Sequence, residues 1–320
     1  MKVCVVGVGN WGMNHIKTLL SLGVQVGCVD NDMDKLKNVL TKHGGIDCHS
    51  NIDDSLIENY SGYVIATPPS THSSLAKYLL TKQKTILVEK PLSLSVAESI
   101  EIKSALDRFG GKIVVGHLLL FHPAIVKIKS MIKKGDIGKV QYIYSNRLNL
   151  GTVRKEENVF WSFAPHDISI FQYFTDSFPT EVFSHGGDFL QKDIHDTTIT
   201  YLKYPEGING HIFVSWLHPF KEHRLIVIGS KGSLHFEDSF TNKPLLFYEK
   251  DLSSKGNHIS LKNKLSKEIR YDSSLPLKNE LSYFLDIIDG APITKGTIDE
   301  GIDTIKILEM ASNSLKLNLT

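Results

Sequence analysis

Near the start of the chain, Gly7-Val8-Gly9-Asn10-Trp11-Gly12 forms a G-x-G-x-x-G spacing. It sits between a strand-like run, Lys2–Gly7, and a helical pattern, Trp11–Leu22. Each glycine answers a different demand of a dinucleotide site. Gly7 permits a tight turn, Gly9 lets a pyrophosphate approach the backbone, and Gly12 lets helix and strand pack closely. Asn10 and Trp11 complete the turn and open the helix, whose unpaired N–H groups can receive phosphates. The next strand-like run, Gln25–Asp30, ends in an acid eighteen positions beyond Gly12. A carboxylate there can accept hydrogen bonds from a ribose hydroxyl. An ordinary glycine turn would need neither the strand before it nor the acid after it.

The segment Asp30-Asn31-Asp32-Met33-Asp34 is strongly acidic, and no Arg follows it. A 2′-phosphate would meet like charge, which points to NAD rather than NADP as cofactor. Asp32 or Asp34 also fits as the cap of the following helix, whereas Asp30 lies at the strand end.

The first third of the chain alternates two periods. Lys2–Gly7, Gln25–Asp30, Gly62–Thr67, Lys84–Glu89 and Lys112–Gly116 are strand-like; Trp11–Leu22, Asp34–His43, Ser70–Thr81 and Leu94–Phe109 are helical. That alternation indicates βαβ units around a parallel sheet. Near His117–Pro123 the pattern changes. After a helix at Ala124–Lys134 come longer strand-like runs at Val140–Leu150, Thr197–Tyr204, Ile208–Trp216, Arg224–Gly229 and Gly232–Glu237. Ser239–Asp272 is polar and carries no clear period, and helices are expected at Leu277–Asp289 and Ile298–Leu315. The expected fold is α/β: an N-terminal Rossmann domain with a parallel sheet, residues 1–118, and a C-terminal α+β domain with a largely antiparallel open sheet, residues 119–320, for substrate binding and oligomerisation.

A length of 320 residues fits two cores better than one. The net charge of +1 lacks the basic excess that nucleic acid or an acidic membrane surface requires. Anionic ligands must therefore be met by local groups. Cys4, Cys28 and Cys48 show no ligand spacing, which argues against a disulfide framework, a zinc site or any other metal site. Cys4 and Cys28 read as small buried hydrophobes. The apolar start is interrupted too soon for a signal peptide, and no run reaches membrane-spanning length. A reducing cytoplasm is the expected location.

Val88-Glu89-Lys90-Pro91-Leu92 ends a predicted parallel strand, and ligands bind beyond the carboxyl ends of such strands. Lys90 there can reach a nicotinamide and a substrate together, and a nearby positive ring would favour its neutral form for proton transfer. The tripeptide alone fits a solvated lysine equally well.

Several motifs in order now resemble the Gfo/Idh/MocA oxidoreductase family: Gly7–Gly12 with His15, Ala66-Thr67-Pro68-Pro69-Ser70-Thr71-His72, Glu89-Lys90-Pro91, and Gly116-His117 leading to Pro123. The resemblance extends over nearly the whole chain. It implies that Thr67, Pro68 and His72 line the cofactor site, that Glu89 and Lys90 flank the nicotinamide, and that the bond before Pro91 is cis. It also implies a homodimer or homotetramer, in keeping with the alternating apolar residues of Thr197–Trp216.

In the second domain, Asn146-Arg147-Leu148-Asn149-Leu150-Gly151 precedes Arg154, Asn158 and Trp161-Ser162-Phe163-Ala164-Pro165-His166-Asp167. A lone histidine near a helix start reads more readily as a cap or core residue. The resemblance instead implies that His166 helps Lys90 move the hydroxyl proton, with either as the base. The family commonly carries an aspartate four residues before that histidine, and Ser162 stands there instead. Together these strings are similar to the branch of UDP-N-acetyl-2-amino-2-deoxyglucuronate 3-dehydrogenases. That similarity implies NAD-dependent oxidation of a ring hydroxyl at sugar C3 in polysaccharide precursor synthesis. Asn149, Arg154, Asn158 and His166 would then hold the sugar; Arg154 fits equally as a surface partner of Glu156 or Glu157. Two alternatives stand beside this reading: oxidation of a free sugar or inositol, and a non-catalytic NAD-binding regulator.

Overall fold

The computed structural model describes residues 1–151, 153–155, 157–255 and 258–317. It contains two compact units, Met1–Phe121 with Ser274–Lys306, and His122–Ser273 with the chain from Ile307 onward.

The first unit alternates strand and helix: β1 (Lys2–Val6), α1 (Asn10–Ser21), β2 (Gln25–Val29), α2 (Met33–Lys42), β3 (Asp47–His49), α3 (Asp54–Ile57), β4 (Gly62–Ile65), α4 (His72–Thr81), β5 (Thr85–Glu89), α5 (Val96–Phe109) and β6 (Lys112–Gly116). The strands are parallel in the order β3-β2-β1-β4-β5-β6. Val3, Cys4 and Val5 are fully buried, as the continuous apolar runs of a sheet covered on both faces require. Strand order reverses between β1 and β4, the switch point where doubly wound sheets open a ligand crevice.

α8 (Pro276–Ile288) and the first half of α9 (Ile298–Leu317) also belong to this unit. Chain order alone assigns them to the second domain, residues 119–320; their packing is why they join the first. Leu281, Phe284 and Ile287 are fully buried in one cluster with Val3, Val5, Leu19 and Val64. Helical periodicity showed an apolar face on α8 but not the sheet that it covers. Removing the Phe284 ring would cost about 3–5 kcal/mol.

The second unit holds α6 (Pro123–Lys134), β7 (Val140–Leu150), α7 (Val159–Thr175), β8 (Glu181–Gly187), β9 (Thr197–Lys203), β10 (Asn209–Ser215), β11 (Leu217–Gly229), β12 (Gly232–Glu237), β13 (Leu245–Lys255) and β14 (His258–Glu268). Its eight strands run β14-β13-β12-β11-β7-β10-β9-β8 and pair antiparallel, except for β10 beside β7. Phe160, Ala164, Ile168 and Phe171 recur at helical spacing and turn a fully buried stripe of α7 toward β7, β9 and β10. From sequence this segment shows a helix start near His166 but no helix bounds, because Pro165 lies inside the helix and the apolar run is nearly continuous. The polar stretch Ser239–Asp272 contributes the β13–β14 hairpin.

Candidate functional site

In the first unit the glycine loop connects β1 to α1 at the switch point. Gly7 has φ +90°, and a Cβ there would lie 2.8 Å from the Ala66 carbonyl oxygen and 2.8 Å from Thr67 Cγ2. A Cβ on Gly12 would lie only 1.9 Å from the Gly7 carbonyl oxygen, so helix and turn are in direct contact. A Cβ on Gly9, by contrast, meets nothing within 4 Å. That backbone face is open, and no side chain caps α1. The first N–H groups of α1, from Asn10 and Trp11 onward, are therefore presented as a phosphate cradle. The loop thus fits a dinucleotide, with space where a pyrophosphate needs it.

Asp30 is nearly buried and ties this loop together. Its Oδ2 accepts from the Val8 amide at 2.8 Å and its Oδ1 from the Asp32 amide at 2.9 Å. Each oxygen keeps acceptor capacity for a ribose hydroxyl. Asp32 is the cap of α2, accepting from the amides of Asp34 and Lys35. Lys35, which carries no motif signal, stands beside both carboxylates, its Nζ 3.9 Å from Asp30 and 3.8 Å from Asp32.

Glu89 and Lys90 leave the carboxyl end of β5, and the Lys90–Pro91 bond is cis. Glu89 Oε1 meets Nε2 of the buried His15 at 2.7 Å, and its Oε2 accepts the Lys90 amide at 3.2 Å. Burial alone would raise the Glu89 pKa, but the His15 contact and the Lys90 charge outweigh it and hold the carboxylate low. His72 is also buried. Nδ1 lies 2.8 Å from the Pro91 carbonyl and Nε2 2.9 Å from the Thr67 carbonyl. A neutral imidazole has one N–H, so it donates to one of these carbonyls at a time; burial pushes its pKa down and favours that neutral form. His72 thus clasps the Thr67-Pro68 turn to the Glu89-Lys90-Pro91 turn. Thr67 is held further by Thr71 Oγ1 at 2.7 Å.

Two buried groups nearby escaped the sequence reading as site residues. His117 makes no side-chain hydrogen bond among the described residues; burial, reinforced by Lys90, pushes its pKa down to about 4. The Glu280 carboxyl is fully buried on α8, and burial together with the Glu89 charge raises its pKa. His117 stood out only as part of the Gly116-His117 motif. Glu280 gave no signal beyond an acid on the apolar side of a helix.

In the second unit, His166 is half-buried on α7, one turn after Ser162 and on the same face. Asn158 caps α7, its Oδ1 accepting from the Trp161 amide at 3.1 Å. Asn149 is half-buried near the end of β7. Arg154 is exposed and its Nε lies 4.0 Å from Glu157, while Glu156 lies outside the described residues. A pair that sequence spacing does not reveal links β7 to α7: Arg147 grips the buried Asp167 with two bonds, Nε to Oδ2 at 2.8 Å and an Nη to Oδ1 at 3.0 Å. Burial opposes the Arg147 charge, but Asp167 outweighs it and raises its pKa. This fork fixes the residue next to His166.

Among the described residues, no cluster of three or more His, Cys, Asp or Glu is placed to hold a metal ion. No helix among them is long and apolar enough to cross a membrane.

Comparison with known proteins agrees with this fold. Residues 1–117 match the model of the oxidoreductase family with an NAD-binding Rossmann fold, and residues 125–235 match that of the GFO/IDH/MocA C-terminal domain. A scyllo-inositol 2-dehydrogenase (NAD(+)) of Bacillus subtilis is 28% identical over 250 residues, 73% of each chain. The solved structure of a UDP-N-acetylglucosamine 3-dehydrogenase from Acidithiobacillus ferrooxidans superimposes with a TM-score of 0.86 at 19% identity, covering 100% of this chain and 99% of that one. The WlbA dehydrogenase from Bordetella pertussis, solved with NADH and UDP-GlcNAcA, gives 0.79 at 17% identity, covering 98% of this chain and 96% of that one.

Proposed function

This chain belongs to the Gfo/Idh/MocA family of NAD-binding oxidoreductases, and on that premise we propose that it oxidises a ring secondary alcohol of a sugar or sugar-like molecule. Bound NAD supplies the hydride acceptor. The protein must then remove the hydroxyl proton, which water accepts poorly near neutral pH; a positioned base contributes about 10²–10⁴-fold. Lys90 and His166 are the groups we assign to that proton. The observation that carries the reading is Lys90 at the carboxyl end of β5, in a turn that His72 clasps to the Thr67 turn beside the glycine loop.

For the substrate we favour C3 of a UDP-N-acetylglucosamine-type uronic acid, in polysaccharide precursor synthesis. Support comes from Asn146–Gly151 with Trp161–Asp167, and from Arg154, an exposed fork suited to carboxylate or phosphate. In this reading Asn149 and Asn158 help hold the sugar. A second reading, oxidation of an inositol or free sugar, is favoured by the 28% identical inositol dehydrogenase. Incubation with NAD and a panel of UDP-sugars, their uronic acids, free sugars and inositols, followed by NADH absorbance, separates them. Turnover of the UDP-uronate alone supports the first reading, and turnover of inositols alone the second. No turnover across the panel overturns both.

We also propose a homodimer or homotetramer formed through the second-unit sheet. Phe183, Ile199 and Tyr201 stand outward on β8 and β9, 53%, 49% and 36% exposed, as an apolar patch bordered by His185 and the Glu181–Lys203 ion pair.

A further inference from the structure

Cys28 on β2 and Cys48 on β3 are directly paired in the parallel register, so their side chains leave the sheet on the same face. Cys28 Sγ–H donates to Cys48 Sγ at 3.4 Å. A disulfide needs the sulfurs at about 2.05 Å, so they must approach by about 1.4 Å. β3 can supply that movement because it is a three-residue strand at the sheet edge, hydrogen-bonded on one side only. Cys4 is excluded as a partner. It pairs with Gly27, one position out of phase with Cys28, and so lies on the opposite face.

We propose that Cys28 and Cys48 form an oxidisable dithiol, which a peroxide closes into an intrachain disulfide between β2 and β3. Cys48 is half-buried and meets the oxidant, whereas Cys28 is fully buried. Burial raises the Cys28 pKa and keeps it a thiol until the second step. The Cys48 thiolate attacks the O–O bond of hydrogen peroxide, giving a sulfenic acid and hydroxide. The Cys28 sulfur then displaces the sulfenic oxygen, forming the S–S bond and releasing water. Two electrons pass from the two sulfurs to the peroxide. The bridge would lie two residues before Asp30, whose amide donates to the His49 carbonyl at 3.2 Å. It would therefore tie the strand pair that carries the ribose-side carboxylate.

The test treats the full chain with hydrogen peroxide, alkylates it under denaturing conditions and measures intact mass and peptide linkage. The expected product has two hydrogens fewer, one alkylated cysteine at Cys4, a linked Cys28–Cys48 peptide, and full reversal by dithiothreitol. Cys48→Ser should abolish that species and Cys4→Ser should leave it intact. Three alkylated cysteines after treatment, oxidation ending as a sulfinic acid on Cys48, or a bridge involving Cys4 would each overturn the proposal.

Discussion

Replacing Asp30 with asparagine separates two roles for this residue. Both carboxylate oxygens accept backbone N–H bonds, from Val8 at 2.8 Å and Asp32 at 2.9 Å. An asparagine has one acceptor oxygen and must turn its NH2 toward one of these donors. A hydrogen bond to a charged group contributes about 1.5–3 kcal/mol, so losing one in this nearly buried site should cost about that much. Val8 belongs to the glycine loop, so the loss falls on the conformation that receives the pyrophosphate. If it falls there in full, NAD binding weakens about ten- to hundredfold, at about 1.4 kcal/mol per tenfold. Calorimetric titration with NAD measures this, alongside thermal unfolding of the free protein. A mere ribose acceptor would be replaced well by the asparagine amide. An Asp30→Asn protein with wild-type NAD affinity and unchanged melting temperature would refute the bracing role.

Two further predictions follow from buried histidines and from the exposed sheet. His117 and His122 are buried and held neutral, each with a pKa pushed down to about 4 by burial. Their unfolded value is near 6.5, so their contribution is complete above that pH and lost as pH falls toward 4. Between these limits these two sites alone let the unfolded chain bind up to two more protons, lowering stability by up to about 3 kcal/mol per pH unit, and the depressed pKa values of His72 and His223 act in the same direction. Melting temperatures that stay level from pH 7 to pH 5 would contradict this. Light scattering at micromolar concentration should give a dimer or tetramer mass, and Tyr201→Lys with Phe183→Lys should lower it; a monomeric wild type would remove the sheet-face proposal.

How legible the molecule was in its sequence depended on how local each signal is. The glycine spacing, the Asp30 strand end and the alternation of periods placed β1, α1, β2 and the parallel sheet, because turn chemistry and periodicity are local. The return of α8 to the first unit could not be read, because Leu281 and Phe284 show a buried face but not its partner. The extent of α7 was hidden by Pro165 and by an apolar run without helical contrast. His72 stood out as a motif residue, but its clasp on the Thr67 and Pro91 carbonyls is a matter of three-dimensional placement. The same holds for Arg147, whose fork on Asp167 joins residues twenty positions apart.

Whether Lys90 and His166 move the hydroxyl proton during ring-alcohol oxidation is decided by single-turnover NADH formation at saturating substrate. Lys90→Ala should slow the chemical step by about 10²–10⁴-fold, equivalent to about 2.7–5.4 kcal/mol of barrier. His166→Ala should slow it by less while NAD affinity stays at the wild-type value, since the glycine loop and Asp30 are untouched. Wild-type rates in both variants, with both proteins folded, would place the chemistry elsewhere in the molecule.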